Sequence, residues 1–188
     1  MSLRLFAAIA LPEDVAGRLL ALQRGVPGAK WRPRENLHLT LRFFGETPEP
    51  TADELDALLA EVGQRTAPFT LQLKAAGSFG KQDPHTLWIG AVETPQLMHL
   101  ASACERAARR AGLKPETRKF TPHVTLAYLG GAPLDRVQAF ETRLGLFQAP
   151  PFIVDRFGIY SSWPKKTGPN LYQLEAEYPF TRPSPPRA

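Results

Sequence analysis

One segment of the chain, residues 36–45, alternates polar and apolar side chains and ends in glycine, reading N-L-H-L-T-L-R-F-F-G. In an extended strand, alternate side chains share a face. His38 and Thr40 therefore face one way, while Leu39 and Leu41 face the other. The alternation predicts a strand that buries its leucines and presents an imidazole beside a hydroxyl.

A second segment, residues 121–130, repeats this pattern as T-P-H-V-T-L-A-Y-L-G. It lies 85 residues further along, and the same spacing separates the two histidines, the two threonines and the two final glycines. His123 and Thr125 are thus predicted to share the polar face of an equivalent strand. Two such strands could face each other across a cleft.

The rest of the chain shows the periodicities of helices and strands. Helices are predicted from Pro12 to about residue 25 and over residues 51–65, 95–111 and 134–144, and further strands over residues 3–11, 69–73, 86–92, 152–159 and 171–178. The glycine- and proline-containing segments 26–35 and 75–84 are predicted to be connections.

The repeat is larger than the histidine segment, because strand, helix, loop, histidine strand, helix and strand occur twice in that order. The period near 85 residues exceeds the roughly 20–50 residues of solenoid repeats. We therefore expect one α+β domain, residues 1–181, with two pseudo-symmetric lobes of roughly 1–84 and 85–181. Each lobe is predicted to be an antiparallel sheet with helices on its outer face, with the active-site cleft between the lobes and strand exchange allowed. Residues 182–188 are predicted to form a disordered tail.

Composition limits the class of protein. Hydrophobic residues make up 43% of the 188 residues, which predicts a packed core. The formal net charge of +5 favours an anionic partner such as RNA or a nucleotide. The single cysteine, Cys104, fits a reducing cytoplasm, and no apolar run approaches the roughly 18 residues of a membrane helix. We expect a cytoplasmic monomer without a membrane segment.

Two histidines held opposite each other suit acid–base chemistry, because imidazole titrates near ~6.5. One can take a proton from water while the other protonates a departing oxygen, and neighbouring hydroxyls can hold a phosphate. A lone strand histidine is usually structural, but the in-register duplication favours catalysis. Two histidines and two threonines lack the third strong ligand that zinc would require, so we predict no metal. Cys104 lies on an apolar helix stripe, which disfavours a cysteine nucleophile.

The paired motifs H-L-T-L-R-F-F-G and F-T-P-H-V-T-L-A-Y-L-G resemble the two signatures of the 2H phosphoesterase superfamily, in particular its RNA 2′,3′-cyclic phosphodiesterase (2′-5′ RNA ligase) branch. R-L-F-A-A-I-A-L-P near the start and W-R-P-R-E-N before the first motif extend the resemblance over nearly the whole chain. It implies hydrolysis of RNA or nucleotide 2′,3′-cyclic phosphate to the 2′-phosphate, without cofactor or metal. His38 and His123 would be the acid–base pair, with Thr40 and Thr125 contacting the phosphate. We assign His38 as the general acid to O3′ and His123 as the general base, but the pseudo-symmetry allows the two roles to exchange.

The chain departs from the family at Tyr128, where members often carry arginine. Arg42 has the right strand parity to supply a cation instead, and Lys119 and Arg118 are further candidates for phosphate contacts. The candidates for stacking an RNA base are Trp31, Phe44 and Phe79. The other two histidines, His85 and His99, are expected to be bystanders.

Two other functions remain open at this point. The same residues could catalyse the reverse reaction, joining tRNA halves through a 2′-5′ linkage. Alternatively, the chain could be a non-catalytic module that binds RNA or nucleotides.

Overall fold

The computed structural model describes residues 1–183, and these form ten strands, four α-helices and a short 3-10 turn at Arg34–Asn36. The strands are β1 (Ser2–Ala10), β2 (Lys30–Trp31), β3 (His38–Pro48), β4 (Phe69–Leu71), β5 (Leu73–Phe79), β6 (Thr86–Ala91), β7 (His123–Tyr128), β8 (Phe152–Val154), β9 (Arg156–Trp163) and β10 (Leu171–Pro179). The helices are α1 (Glu13–Leu22), α2 (Glu49–Arg65), α3 (Pro95–Arg110) and α4 (Leu134–Arg143). Of the predicted tail, residues 182–188, the part from residue 184 onwards lies outside the described residues.

Eight of these strands form one antiparallel sheet in the order β10–β9–β1–β3–β7–β6–β5, with β2 also beside β7. The two histidine strands, β3 and β7, pair through one residue pair, Leu39 opposite Val124. The sheet therefore consists of two four-stranded halves, β10–β9–β1–β3 and β2–β7–β6–β5, that meet at the histidines. This arrangement confirms the predicted α+β class with two related antiparallel halves. β4 and β8 form a separate pair.

The two halves of the chain exchange strands in both directions. β9 follows α4 late in the chain but pairs with β1, and β5 follows α2 early in the chain but pairs with β6. Strand pairing thus differs from a simple division into residues 1–84 and 85–181. The exchange occurs on both sides of the pseudo-two-fold.

The helices cover the apolar face of the sheet behind the histidines. α2 packs on β1, β3, β9 and β10, and it also packs on α3, which covers β3. Between the polar residues of the two motifs, four apolar side chains are buried toward this layer, namely Leu39, Leu41, Val124 and Leu126. Burial of each such side chain stabilises the fold by roughly 1.5–3 kcal/mol. Within residues 1–183, the helices are too short or too polar to cross a membrane.

One predicted connection is a strand, because residues 73–79 form β5. Its small residues serve close packing rather than a turn. Ala75 has a φ of 58° at a register shift between Lys74 and Ala76. Gly77 lies directly under the ring of Trp88, where a Cβ would come within 2.2 Å of the indole. Small residues in a strand can indicate a bulge or a close contact as well as a loop.

Candidate active site

The pairing of Leu39 with Val124 brings the two motifs together on one face of the sheet. In antiparallel register, the residues flanking this pair place His38 opposite Thr125 and Thr40 opposite His123. Directly opposite side chains have Cβ atoms about 5 Å apart, and diagonal ones roughly 7–8 Å. The two imidazoles are thus diagonal neighbours with the two hydroxyls between them. We call these four side chains the His–Thr quartet.

His38 lies in an aromatic pocket. Its ring stacks on Phe6 at a centroid distance of 4.9 Å, and Tyr172 meets it edge-on at 5.2 Å. Burial, together with the positive charge of Arg32 and the neighbouring His123, lowers the pKa of His38 from 6.5 to about 4. The imidazole of His38 is therefore neutral at pH 7 in the empty site.

His123 is held by its backbone and by a second set of aromatic residues. Its Nδ1 lies 2.6 Å from the carbonyl oxygen of Thr121, so Nδ1 carries the hydrogen and the lone pair is left on Nε2. Phe79 meets the ring edge-on at 5.0 Å, and Trp88 lies 6.1 Å away. Burial lowers the pKa of His123, while the bond to Thr121 opposes the shift. A neutral imidazole with Nε2 unprotonated is ready to accept a proton.

Two openings flank the quartet. One, of about 620 Å³, is lined by Thr40 and His123 together with aromatic and basic side chains. The other, of about 430 Å³, is lined by His38, with Tyr160 and Tyr172 beside it. Both volumes lie in the roughly 300–1,000 Å³ range of ligand sites, so the site has room for a nucleotide on either side of the histidines.

Arg42 lines the larger opening, but its guanidinium is already engaged. Its side chain is 9% exposed, and Nε forms a 2.5 Å ion pair with Glu105 of α3. One terminal nitrogen donates to the carbonyl oxygen of Lys114 at 2.7 Å, and the other to that of Phe43. These bonds fasten β3 to α3 and to the loop that precedes the second motif. Arg42 therefore stabilises one wall of the site, and its predicted phosphate contact stays a prediction.

The other predicted cations line the same opening at its edge. Arg118 is exposed and forks onto the carboxylate of Glu116 at 2.9 and 3.1 Å. This contact holds the pKa of Glu116 at about 2. Lys119 is also exposed. Both cations can approach a phosphate only from the solvent side.

The three stacking candidates differ in placement. Trp31 packs toward Phe140 at 5.9 Å against the core. Phe44 is 9% exposed and belongs to the core, which does not suit a base-stacking role. Phe79 does line the larger opening.

Phe44 lies in the core because β3 is bulged. The pairing with β1 runs from Thr40 directly to Arg42, with a register shift between Ala7 and Ala8 that skips Leu41. This shift reverses the alternation of faces and turns Phe43 toward the larger opening, where it is 39% exposed. Strand parity alone gave no signal for the bulge.

Sequence reasoning also missed the role of residues on the His38 side. Arg32 and Tyr172 lie beside His38, and Arg32 contacts Tyr128 at the end of the second motif. Only the position of Arg32 just before the first motif could have drawn attention to it.

The remaining candidate groups do not extend the site's chemistry. Within residues 1–183, no group of three or more His, Cys, Asp or Glu side chains is placed to hold a metal ion. Burial raises the pKa of Cys104 to about 12, so this thiol is not a nucleophile. His99 is exposed, and His85, which is exposed at the rim of the larger opening, bonds Thr86 through Nδ1 at 2.9 Å.

A two-lobed antiparallel sheet with paired His-x-Thr strands at its centre defines a class of phosphoesterases, and comparison with known proteins identifies the family. The model described as the 2'-5' RNA ligase superfamily matches residues 11–162. The chain therefore belongs to this superfamily, which confirms the resemblance of its motifs.

Individual relatives agree with this assignment. A Thermotoga maritima protein named RNA 2',3'-cyclic phosphodiesterase is 33% identical over 95% of this chain and 96% of its own length. A Thermus thermophilus protein of the same name is 34% identical over 92% and 88%. Among solved structures, Escherichia coli LigT complexed with 3'-AMP matches with a TM-score of 0.78 and 25% identity, over 97% of this chain and 100% of LigT.

Proposed function

We propose that this chain is an RNA 2′,3′-cyclic phosphodiesterase that hydrolyses cyclic phosphate ends, or cyclic nucleotides, to the 2′-phosphate. The observation that carries this proposal is the His–Thr quartet, which sets two imidazoles diagonally across a register pair with two hydroxyls between them. The names of the relatives from Thermotoga maritima and Thermus thermophilus support the same activity.

In the proposed reaction, water attacks phosphorus and the bond from phosphorus to O3′ breaks. His123 takes a proton from the attacking water through Nε2, and His38 gives its proton to O3′. Thr40 and Thr125 donate hydrogen bonds to the phosphoryl oxygens, where charge develops in the transition state. The products are a 2′-phosphate and a free 3′-hydroxyl, and the two histidines have exchanged protonation states.

The pKa values fit this scheme only when substrate is bound. In the empty site both imidazoles are neutral at pH 7, which prepares His123 as a base but leaves His38 without the proton that an acid needs. A phosphate monoanion between the rings raises the pKa of each. Substrate and one proton therefore bind together, and substrate affinity should increase as the pH falls from 8 toward 6.

The test is hydrolysis of nucleoside 2′,3′-cyclic monophosphates in excess chelator, with the product isomer identified by phosphorus NMR. A 2′-phosphate formed at an undiminished rate in chelator supports the proposal. A 3′-phosphate product contradicts the assignment of O3′ as the leaving group. If no mononucleotide reacts, an oligonucleotide ending in a cyclic phosphate is used, and failure of that substrate too leaves only a binding role.

The description of the matched superfamily favours one further activity, the reverse reaction. Attack of a 5′-hydroxyl on the cyclic phosphate would use the same proton transfers and form a 2′-5′ linkage. Incubation with paired tRNA halves tests it, because a joined product resistant to a 3′-5′-specific ribonuclease shows ligation.

A further inference from the structure

Arg32 is a buried cation next to the reactive histidines, and it is not part of either motif. The residue is 8% exposed. Its guanidinium donates a hydrogen bond to the hydroxyl of Tyr172 at 3.3 Å, and Tyr172 in turn contacts the ring of His38. Arg32 thus lies in the same cluster as His38.

No carboxylate among residues 1–183 balances the guanidinium of Arg32. Among residues 1–183, every ion pair involves other side chains or the N-terminal amine. A buried charge without a counterion carries a large desolvation cost unless an anion accompanies it. The aromatic faces of Tyr128, 5.0 Å away, and Tyr172, 6.0 Å away, offset part of this cost. The part of the desolvation cost that the two rings do not offset indicates that an anion binds beside Arg32.

The backbone holds Arg32 at the end of the second motif. Trp31 pairs with Ala127 across β2 and β7, and the amide of Arg32 donates to the carbonyl of Leu126 at 2.8 Å. The side chain of Gln23 donates to the carbonyl of Arg32 at 2.8 Å and locks this turn. Arg32 therefore reaches, from the neighbouring strand, the place where the second motif ends.

Tyr128 lies on the same side of the sheet as the quartet. A register shift between β6 and β7 skips Leu126, so residue 128 follows Thr125 toward the open face although its number is even. Tyr128 is 46% exposed, and its ring faces Arg32. The ring of Tyr128 therefore supports the guanidinium of Arg32. The guanidinium lies where an arginine at residue 128 would place its own guanidinium to contact the phosphate.

We propose that Arg32 binds the substrate phosphate and supplies, from the loop before β3, the guanidinium that Tyr128 does not provide. This inference depends on the proposed function, since it assigns a residue to the same phosphate position. The guanidinium would hold a non-bridging oxygen on the His38 side of the quartet, opposite the exposed cations Arg118 and Lys119.

The experiment titrates inorganic phosphate into the protein and follows the imidazole signals of His38 and His123 by NMR. Arg32→Gln should raise the phosphate dissociation constant about 10- to 100-fold, as expected for the loss of a charge-assisted bond. It should also raise the pKa of His38, because a neighbouring positive charge is gone. Arg18→Gln, an exposed arginine on α1, is the matched control and should change neither quantity.

A double variant tests whether the two positions share one phosphate. Arg32→Gln combined with Tyr128→Arg should recover most of the lost affinity. Unchanged phosphate affinity in Arg32→Gln, or a loss that persists in the double variant, would overturn the proposal. If Arg32→Gln fails to fold, Arg32→Lys keeps the charge without the planar fork. A threefold or greater loss of affinity is then expected, and no loss would overturn the proposal.

These readouts are separate from turnover. If the wild-type protein binds phosphate through Arg32 but hydrolyses no cyclic phosphate, the proposed function fails while this inference stands. If hydrolysis proceeds and Arg32→Gln binds phosphate normally, the proposed function stands and this inference fails.

Discussion

Leu39 of β3 and Val124 of β7 face each other as the single residue pair that joins the two halves of the central sheet. Both side chains are fully buried under the helical layer. The polar residues on either side of each are consequently fixed relative to one another by the sheet itself. The geometry of the His–Thr quartet is thus a direct result of one strand register, because a slip of one residue would turn the histidines into the core.

The first prediction concerns the two motif histidines. His38→Ala and His123→Ala should each lower kcat about 10²- to 10⁴-fold, the usual contribution of a positioned acid or base. The measurement is steady-state hydrolysis of a cyclic nucleotide, with circular dichroism to confirm folding. His99→Ala, on the exposed face of α3, should retain full activity. Substantial turnover by either motif variant would exclude the acid–base scheme.

The second prediction separates the roles of the two histidines. Replacing the bridging O3′ of the substrate by sulfur gives a leaving group that needs little protonation. His38→Ala should then recover much of its lost rate on the sulfur substrate, because only the acid becomes dispensable. His123→Ala should stay impaired on both substrates, since attack by water still requires a base. If His123→Ala recovered its rate on the sulfur substrate instead, His123 would be the acid and His38 the base.

The third prediction is a pH dependence of stability caused by His38. The unfolded chain binds this proton near pH 6.5, whereas the folded chain binds it only near pH 4. Between these values the unfolded state holds more protons, so the free energy of unfolding decreases as the pH falls. The loss due to this group reaches about 3 kcal/mol below pH 4.

Chemical denaturation from pH 7.5 to pH 4 measures this effect. His38→Asn should reduce the slope of the free energy of unfolding against pH by about one proton. His99→Asn, which replaces an exposed imidazole, should leave this slope unchanged. An unaltered slope in His38→Asn would mean that the buried ring does not titrate as described.

The fourth prediction concerns Gly77, on which the ring of Trp88 rests. A Cβ at residue 77 would approach the indole to 2.2 Å, so Gly77→Ala must displace Trp88. We expect a loss of about 1–3 kcal/mol of stability from overpacking and a lower kcat, because Trp88 and Phe79 together support His123.

Two variants control this prediction. Gly17→Ala on α1 has no atom within 4 Å of the new Cβ and should be neutral or stabilising by up to about 1 kcal/mol. In the Gly77→Ala background, Trp88→Leu should restore stability by making room. Thermal unfolding and tryptophan fluorescence report on both, and an unperturbed Gly77→Ala protein would contradict the packing argument.

The sequence predicted the parts of the molecule that depend on local pattern. The His38 and His123 strands and all four helices follow from side-chain periodicity, and their bounds agree with the structure within a few residues. The grouping of the histidines followed from the duplicated motif rather than from any contact visible in the sequence.

What the sequence did not predict depends on register and on distant neighbours. The bulge that places Phe44 in the core arises where β3 pairs with β1. Gly77 of β5 is small because the ring of Trp88, on another strand, packs directly on it. Arg32 gained importance only when β2 was seen to end beside Tyr128. None of these relations has a periodicity that a single segment could reveal.

The reciprocal exchange of β5 and β9 has a consequence for synthesis on the ribosome. β1 and β3 are made first, but β1 lacks one neighbour until β9, more than 140 residues later, has emerged. Such distant pairing slows folding, and it leaves an open strand edge on the nascent chain for most of translation. A stop codon placed anywhere before β9 should therefore yield an aggregating fragment instead of a folded first lobe.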